Sequence, residues 1–263
     1  MSPAPRNQIE QVRKNVLKHV AAPLRKHGRF ESMLKVTRLR GKEPSMQHQV
    51  IVPHATYSPW WTDAEFQRTL PSVQTATLVD VYRLYELWSL VGQVAGLNGD
   101  ILEVGVWRGG SGCLMASRVR LDGGSATVYL CDTFEGVVKA GSEDNAYRGG
   151  EHADTSAQIV SDLAARLGLS NVEILQGIFP DDTADRIESR SFRLCHIDVD
   201  VYQSARDVFE WVWDRLVPGG VVVFDDYGFY SCEGVARFVN EMAERPDLLY
   251  LHNLNGHAVL VKR

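Results

Sequence analysis

From residue 100 onward the chain alternates short apolar runs with helical stretches, and this rhythm restricts its fold more than any other feature. DILEVG, TVYLCD, VEILQG, FRLCHID and GVVVFDD are brief and rich in β-branched residues, the pattern of strands buried in a parallel sheet. The helical stretches are GGSGCLMASRVRL, TSAQIVSDLAARLGL, YQSARDVFEWVWDRLV and CEGVARFVNEMAER. Thr155 is a candidate N-cap for the second of these and Gly168 marks its end. Pro218-Gly219-Gly220 reads as a tight turn before the fifth strand. LLYLHN and HAVLVKR, joined by Leu254-Asn255-Gly256, read as a closing hairpin with Asn-Gly as its turn signal. The prediction is an α/β fold: a doubly wound, Rossmann-like sheet, mostly parallel, with an antiparallel C-terminal hairpin.

The first 70 residues read as a helical and loop extension, and residues 71–263 as the main domain. Residues 7–27 carry helical spacing through Ile9, Val12, Val16, Leu17 and Val20. Residues 41–62 are loop-like, with Pro44, Pro53 and Pro59 and the aromatic group Tyr57, Trp60 and Trp61. A long helix is expected over 73–96.

Two acidic pairs stand directly behind apolar runs: Asp198 and Asp200 in CHIDVDVY, and Asp225 and Asp226 in VVVFDDYG. Carboxylates just past the C-terminal ends of parallel strands face the crevice where open α/β sheets bind ligands. Gathered there, four acids repel one another strongly if all are ionised. A divalent cation relieves that repulsion, and an oxygen-only set favours Mg²⁺, Ca²⁺ or Mn²⁺ over zinc.

Net charge bears on the partners. It is −5 over 263 residues, which gives no support for a nucleic-acid binder. Residues 1–50 nonetheless hold 11 of the 28 Lys and Arg against three acids, Glu10, Glu31 and Glu43. That basic helix, with its short apolar stripe, is expected to serve assembly or to cover the acceptor site, and a homo-oligomer is the expectation. Cys113, Cys131, Cys195 and Cys232 form no metal-binding spacing, and no run is long and apolar enough for a signal peptide or a membrane span. A cytoplasmic protein with reduced thiols is the expectation.

The turn after the first of these strands, Glu103-Val104-Gly105-Val106-Trp107-Arg108-Gly109-Gly110-Ser111, separates three nucleotide folds. A dinucleotide fingerprint needs glycine where Trp107 stands, and a P-loop needs a Lys that is absent. A methyltransferase cofactor brings no phosphate. It needs a glycine turn for its methionine part and an acid at the next strand end for its ribose, a place held by Asp132.

LEVGVWRGGS, CDTFEGV, HIDVDVYQSARDVFEWVWDRLVPGGVVVFDDYG and NGHAVLV together resemble the macrocin O-methyltransferase family over roughly residues 70–263. The resemblance implies S-adenosylmethionine as methyl donor, Mg²⁺ as metal and a sugar or phenol hydroxyl as acceptor. It implies a cofactor site made from Glu103, Gly105, Arg108, Gly109, Ser111, Asp132, Thr133, Phe134, Gly177, Phe179 and Asp198. Asp198, Asp225 and Asp226 become the metal ligands and Asp200 the general base. Asp198 and Asp200 lie two apart on an extended segment and so face one side, with His196 opposite to Ile197. The acidic and basic loop Glu135–His152 reads as a lid over cofactor and acceptor, or as a plain surface insertion. A catechol-type phenol methyltransferase shares the expected fold and metal. A nucleic-acid methyltransferase has only the basic N-terminus in its favour, and a non-catalytic binding module gives the four acids no purpose.

Overall fold

The computed structural model describes residues 38–40, 46–49 and 55–263. The helix expected over 7–27 lies outside the described residues. The chain divides into two compact units, Met1–His54 and Ala55–Arg263. In the first, strands β1 (Arg38–Arg40) and β2 (Gln47–Gln49) pair antiparallel, Arg38 opposite Gln49. The second unit begins within the stretch read from sequence as the extension. Phe66 is fully buried there against Trp88, and Trp60 packs edge-on to Tyr82 and Tyr85.

The second unit holds β3 (Asp100–Val104), β4 (Val128–Asp132), β5 (Val172–Gln176), β6 (Phe192–Ile197), β7 (Leu216–Phe224), β8 (Leu248–His252) and β9 (Ala258–Lys262). They form one sheet in the order β5-β4-β3-β6-β7-β9-β8. The first five are parallel; β9 runs antiparallel between β7 and β8. The order reverses between β3 and β6, which opens a crevice at their C-terminal ends.

Helices cover both faces. On one lie α1 (Ala64–Val73), α2 (Val81–Gln93), α3 (Gly110–Leu121) and α4 (Ala157–Arg166); on the other, α5 (Tyr202–Arg215) and α6 (Glu233–Met242). Strand residues alternate between the two cores: Ile101, Leu130, Leu194 and Val223 face the first group, and Leu102, Cys131, Cys195 and Phe224 the second. Because both faces are buried, the strands read as unbroken apolar runs.

Three local expectations are corrected. The helix expected over 73–96 is confined to α2, Val81–Gln93, and α1 ends at Val73. Asp80 starts α2 by accepting from the N–H groups of Tyr82 and Arg83, while the Ala76 carbonyl turns to the Gly110 N–H at 2.8 Å. The N-cap of α4 is Ser156, whose hydroxyl accepts from Ile159; Thr155 bonds the Trp107 carbonyl instead. Pro218-Gly219-Gly220 lies inside β7. Pairing with β6 jumps from Phe192–Leu216 to Leu194–Val221, so these residues bulge from the ladder rather than ending it.

Candidate active site

A cleft of about 250 Å³ opens at the strand ends. Its floor starts at the turn after β3. Gly105 has φ +87°, and a Cβ on it would overlap the Asp198 carbonyl oxygen. Gly109, at φ +85°, leads into α3. Asp132 at the end of β4 braces this turn: its Oδ2 accepts from the N–H groups of Val106 (2.7 Å) and Trp107 (2.8 Å), and its Oδ1 from Phe134 (2.7 Å). Each oxygen offers two lone pairs, so Oδ1 retains acceptor capacity toward the cleft.

Of the expected cofactor residues, Gly105, Ser111, Asp132, Thr133, Gly177, Phe179 and Asp198 line this cleft. Glu103, Arg108, Gly109 and Phe134 are not in its lining. Glu103 is fully buried and hydrogen-bonds His196 Nδ1 at 2.9 Å. Arg108 stacks over the Trp107 ring and pairs with Asp154 at 2.6 Å. Gly109 backs onto Val160, and Phe134 is buried with φ +58°.

The far end of the cleft holds all four expected acids. Asp198 follows β6, its N–H bonded to the Val104 carbonyl. Asp225 and Asp226 follow β7, and one carboxylate oxygen from each of Asp198, Asp225 and Asp226 lies within 4.8 Å of the other two. Asp200 does not sit on an extended segment. Its φ of +65° turns the chain into α5, and its N–H donates to Asp226 Oδ2 at 2.9 Å. A left-handed turn, not strand alternation, brings it to the cleft beside Asp198.

Charge is unevenly compensated among these acids. Burial, then the charges of its three acidic neighbours, pushes Asp198 well above the usual carboxylate range. Asp226 is raised by burial and then by the charges of Asp200 and Asp225. Burial also raises Asp200, against the opposing hydrogen bond of Tyr147 and the charge of His152. Asp225 is the exception. The hydrogen bonds of His196 and His257, with the Arg83 guanidinium, outweigh burial and hold it far below the usual range. Arg83 pairs with Asp225 Oδ2, His257 Nε2 lies 2.8 Å from Oδ1, and His196 Nε2 lies 3.5 Å from it.

Sequence reasoning missed these partners. Arg83 interrupts the apolar pattern of α2, which is the one signal that marks it. Tyr147 comes from the loop between β4 and α4, which lines the cleft with Gly136, Val137, Val138, Tyr147 and His152. This loop is pinned to α5 by Asp144, which accepts from the Tyr202 N–H at 2.9 Å, and by Lys139, 2.6 Å from Asp207.

The donor set suits a hard divalent cation: three carboxylates, Asp225 and Asp226 buried and Asp198 half-buried, with Asp198 and Asp226 raised by burial and by neighbouring acids whose repulsion a cation relieves. The opposite end, lined by Gly105, Val106, Asp132 and Thr133, carries among the described residues no cluster of cations that would mark a phosphate site.

Sheet order and cleft define a Rossmann-like methyltransferase. The macrocin O-methyltransferase (TylF) family matches residues 7–254, and the chain belongs to it. It is an O-methyltransferase, as are its curated relatives. It is 36% identical over 177 residues to the 8-demethyl-8-(2,3-dimethoxy-alpha-L-rhamnosyl)-tetracenomycin-C 4'-O-methyltransferase of Streptomyces olivaceus, covering 63% of this chain and 67% of the relative. It is 32% identical over 202 residues to the mycinamicin III 3''-O-methyltransferase of Micromonospora griseorubida, covering 71% and 75%. The solved O-methyltransferase NovP superposes with a TM-score of 0.62 at 24% identity, covering 71% of this chain and 82% of NovP; such a likeness shows the fold.

Proposed function

We propose that the chain transfers a methyl group from S-adenosylmethionine to a sugar hydroxyl of a glycosylated natural product, in antibiotic biosynthesis, with Mg²⁺ bound at Asp198, Asp225 and Asp226. The observation that carries this is the gathering of the Asp198, Asp225 and Asp226 carboxylates with Asp200 at one end of the cleft, in a member of an O-methyltransferase family. Relatives named for rhamnosyl-tetracenomycin and mycinamicin substrates support the acceptor class.

S-adenosylmethionine supplies an electrophilic methyl carbon when bound. The turn at Gly105 and the Asp132 carboxylate hold its methionine and ribose ends in this reading. Mg²⁺ supplies Lewis acidity toward the acceptor hydroxyl when bound. Asp200 takes the hydroxyl proton on its carboxylate, held for this by its own N–H on Asp226 and by Tyr147. The loop carrying Tyr147 and His152 excludes water from the cleft. Assembly into a homo-oligomer and a cytoplasmic location rest on the sequence alone; no helix among the described residues is long and apolar enough to cross a membrane.

The test is methyl transfer to a panel of glycosides and simple phenols, with S-adenosylmethionine, before and after chelation. Transfer to glycosides that stops with EDTA and returns with Mg²⁺ is expected. Preference for catechols, or full turnover in metal-free protein, contradicts the proposal.

A further inference from the structure

The closing hairpin ends at the acid cluster, and the way it is held there points to a residue outside the expected site. One carboxylate on α2, that of Glu86, gathers three side chains from the hairpin tip. Asn253 donates to Oε1, Asn255 to Oε2 at 2.8 Å, and His257 Nδ1 lies 2.6 Å from Oε2. The backbone locks the same five residues. The His257 N–H donates to Asn255 Oδ1 at 2.9 Å, and the Gly228 N–H donates to the Gly256 carbonyl at 2.8 Å, tying the tip to the loop just after Asp226. Gly256, at φ +114°, has no room for a Cβ against Phe229, and Phe229 lies under the Arg83 guanidinium.

His257 is therefore fully buried with its ring fixed from one side, and its other nitrogen meets Asp225 Oδ1 at 2.8 Å. Arg83 occupies Oδ2. Both oxygens of Asp225 are thus held from behind, Oδ1 by His257, with His196 Nε2 3.5 Å away, and Oδ2 by Arg83.

We propose that His257 is a positioning residue: anchored on Glu86 through Nδ1, it sets through Nε2 the orientation in which Asp225 meets a divalent cation. This rests on the metal reading above. Groups behind a metal ligand orient it, and losing one typically weakens metal binding about 10- to 100-fold.

Two substitutions separate this role from simple fastening of the hairpin. The amide nitrogen of Asn reaches about as far as Nδ1, that of Gln about as far as Nε2. His257→Asn keeps the Glu86 link and loses Asp225; His257→Gln does the reverse. Calorimetric titration of the full chain with Mg²⁺, alongside S-adenosylmethionine binding and thermal melting, reads the outcome. His257→Asn should lose about 10- to 100-fold in Mg²⁺ affinity with cofactor affinity unchanged, while His257→Gln stays near wild type. Loss in Gln with retention in Asn, or wild-type affinity in both, overturns the proposal. If the wild-type chain itself binds no Mg²⁺, the metal reading fails first and this inference with it. Should both variants unfold, ¹⁵N-histidine spectra of the unaltered protein decide: the His257 Nε2 resonance should move on adding Mg²⁺, and a resonance that stays still overturns the assignment.

Discussion

The two ends of the cleft are built differently. The end under Gly105 is made by backbone. Two left-handed glycines shape a turn, and one carboxylate, Asp132, collects three N–H groups, one from Phe134 two positions on and two from Val106 and Trp107 in the turn after the neighbouring strand. The acidic end is made by side chains from distant parts of the sequence. Arg83 reaches Asp225 across 142 positions, and His257 across 32. A turn can be specified by a few local residues. A cluster of four carboxylates, two of them buried, needs cations brought from elsewhere, because burying unpaired charge is costly.

That contrast yields three expectations, the largest first. Gly105→Ala combines a left-handed backbone with overlap on Asp198, and should cost about 3 kcal/mol or more in urea denaturation. Gly123, at φ +71° with open space around it, bears only the backbone penalty, so Gly123→Ala should cost about 1 kcal/mol. Equal losses would mean that the backbone end tolerates side chains and the contrast is false. Asp132→Ala should next weaken S-adenosylmethionine binding by roughly 10- to 100-fold, the scale of hydrogen bonds to a charged group, and leave the acceptor KM unchanged. Calorimetry checks it; unchanged cofactor affinity breaks the comparison from the other side.

The smallest effect concerns acid. Burial raises the Glu86 carboxyl, but the hydrogen bonds from His257, Asn255 and Asn253 outweigh it and leave it below its ordinary value of 4.5. A lowered carboxyl adds stability above that value and loses it as pH falls through the folded-state value. Melting temperatures of the wild type should therefore fall more steeply below pH 4.5 than those of Glu86→Gln. Parallel curves would mean that Glu86 is not held by the hairpin tip.

Legibility followed the same division. The strands, the crossover helices, the hairpin and the glycine turn are local patterns, and the sequence showed them with boundaries nearly right except at β7, which starts before Pro218-Gly219-Gly220 instead of after it. The four acids were legible because each pair follows its own strand. Arg83 was not, since an arginine on an amphipathic helix ordinarily faces solvent and nothing local says that Asp225 lies beneath it. His257 stood in NGHAVLV as part of a family string without a role. Tyr147 was hidden in a loop whose path no periodicity fixes. Glu103 and Arg108 are assigned to the cofactor through the family resemblance; the structure pairs Glu103 with His196 across β3 and β6 and Arg108 with Asp154.

The central claim is that Asp225 and Asp226 hold metal while Asp200 moves the proton. The most direct test is kcat for Asp200→Asn, Asp225→Asn and Asp226→Asn, each measured across Mg²⁺ concentration and pH. Asp200→Asn should lose about 10²- to 10⁴-fold, gain nothing from added Mg²⁺, and recover partly as rising pH ionises the acceptor without help. Asp225→Asn and Asp226→Asn should recover partly with excess Mg²⁺. Rescue of Asp200→Asn by Mg²⁺, with none for Asp226→Asn, would contradict the roles assigned.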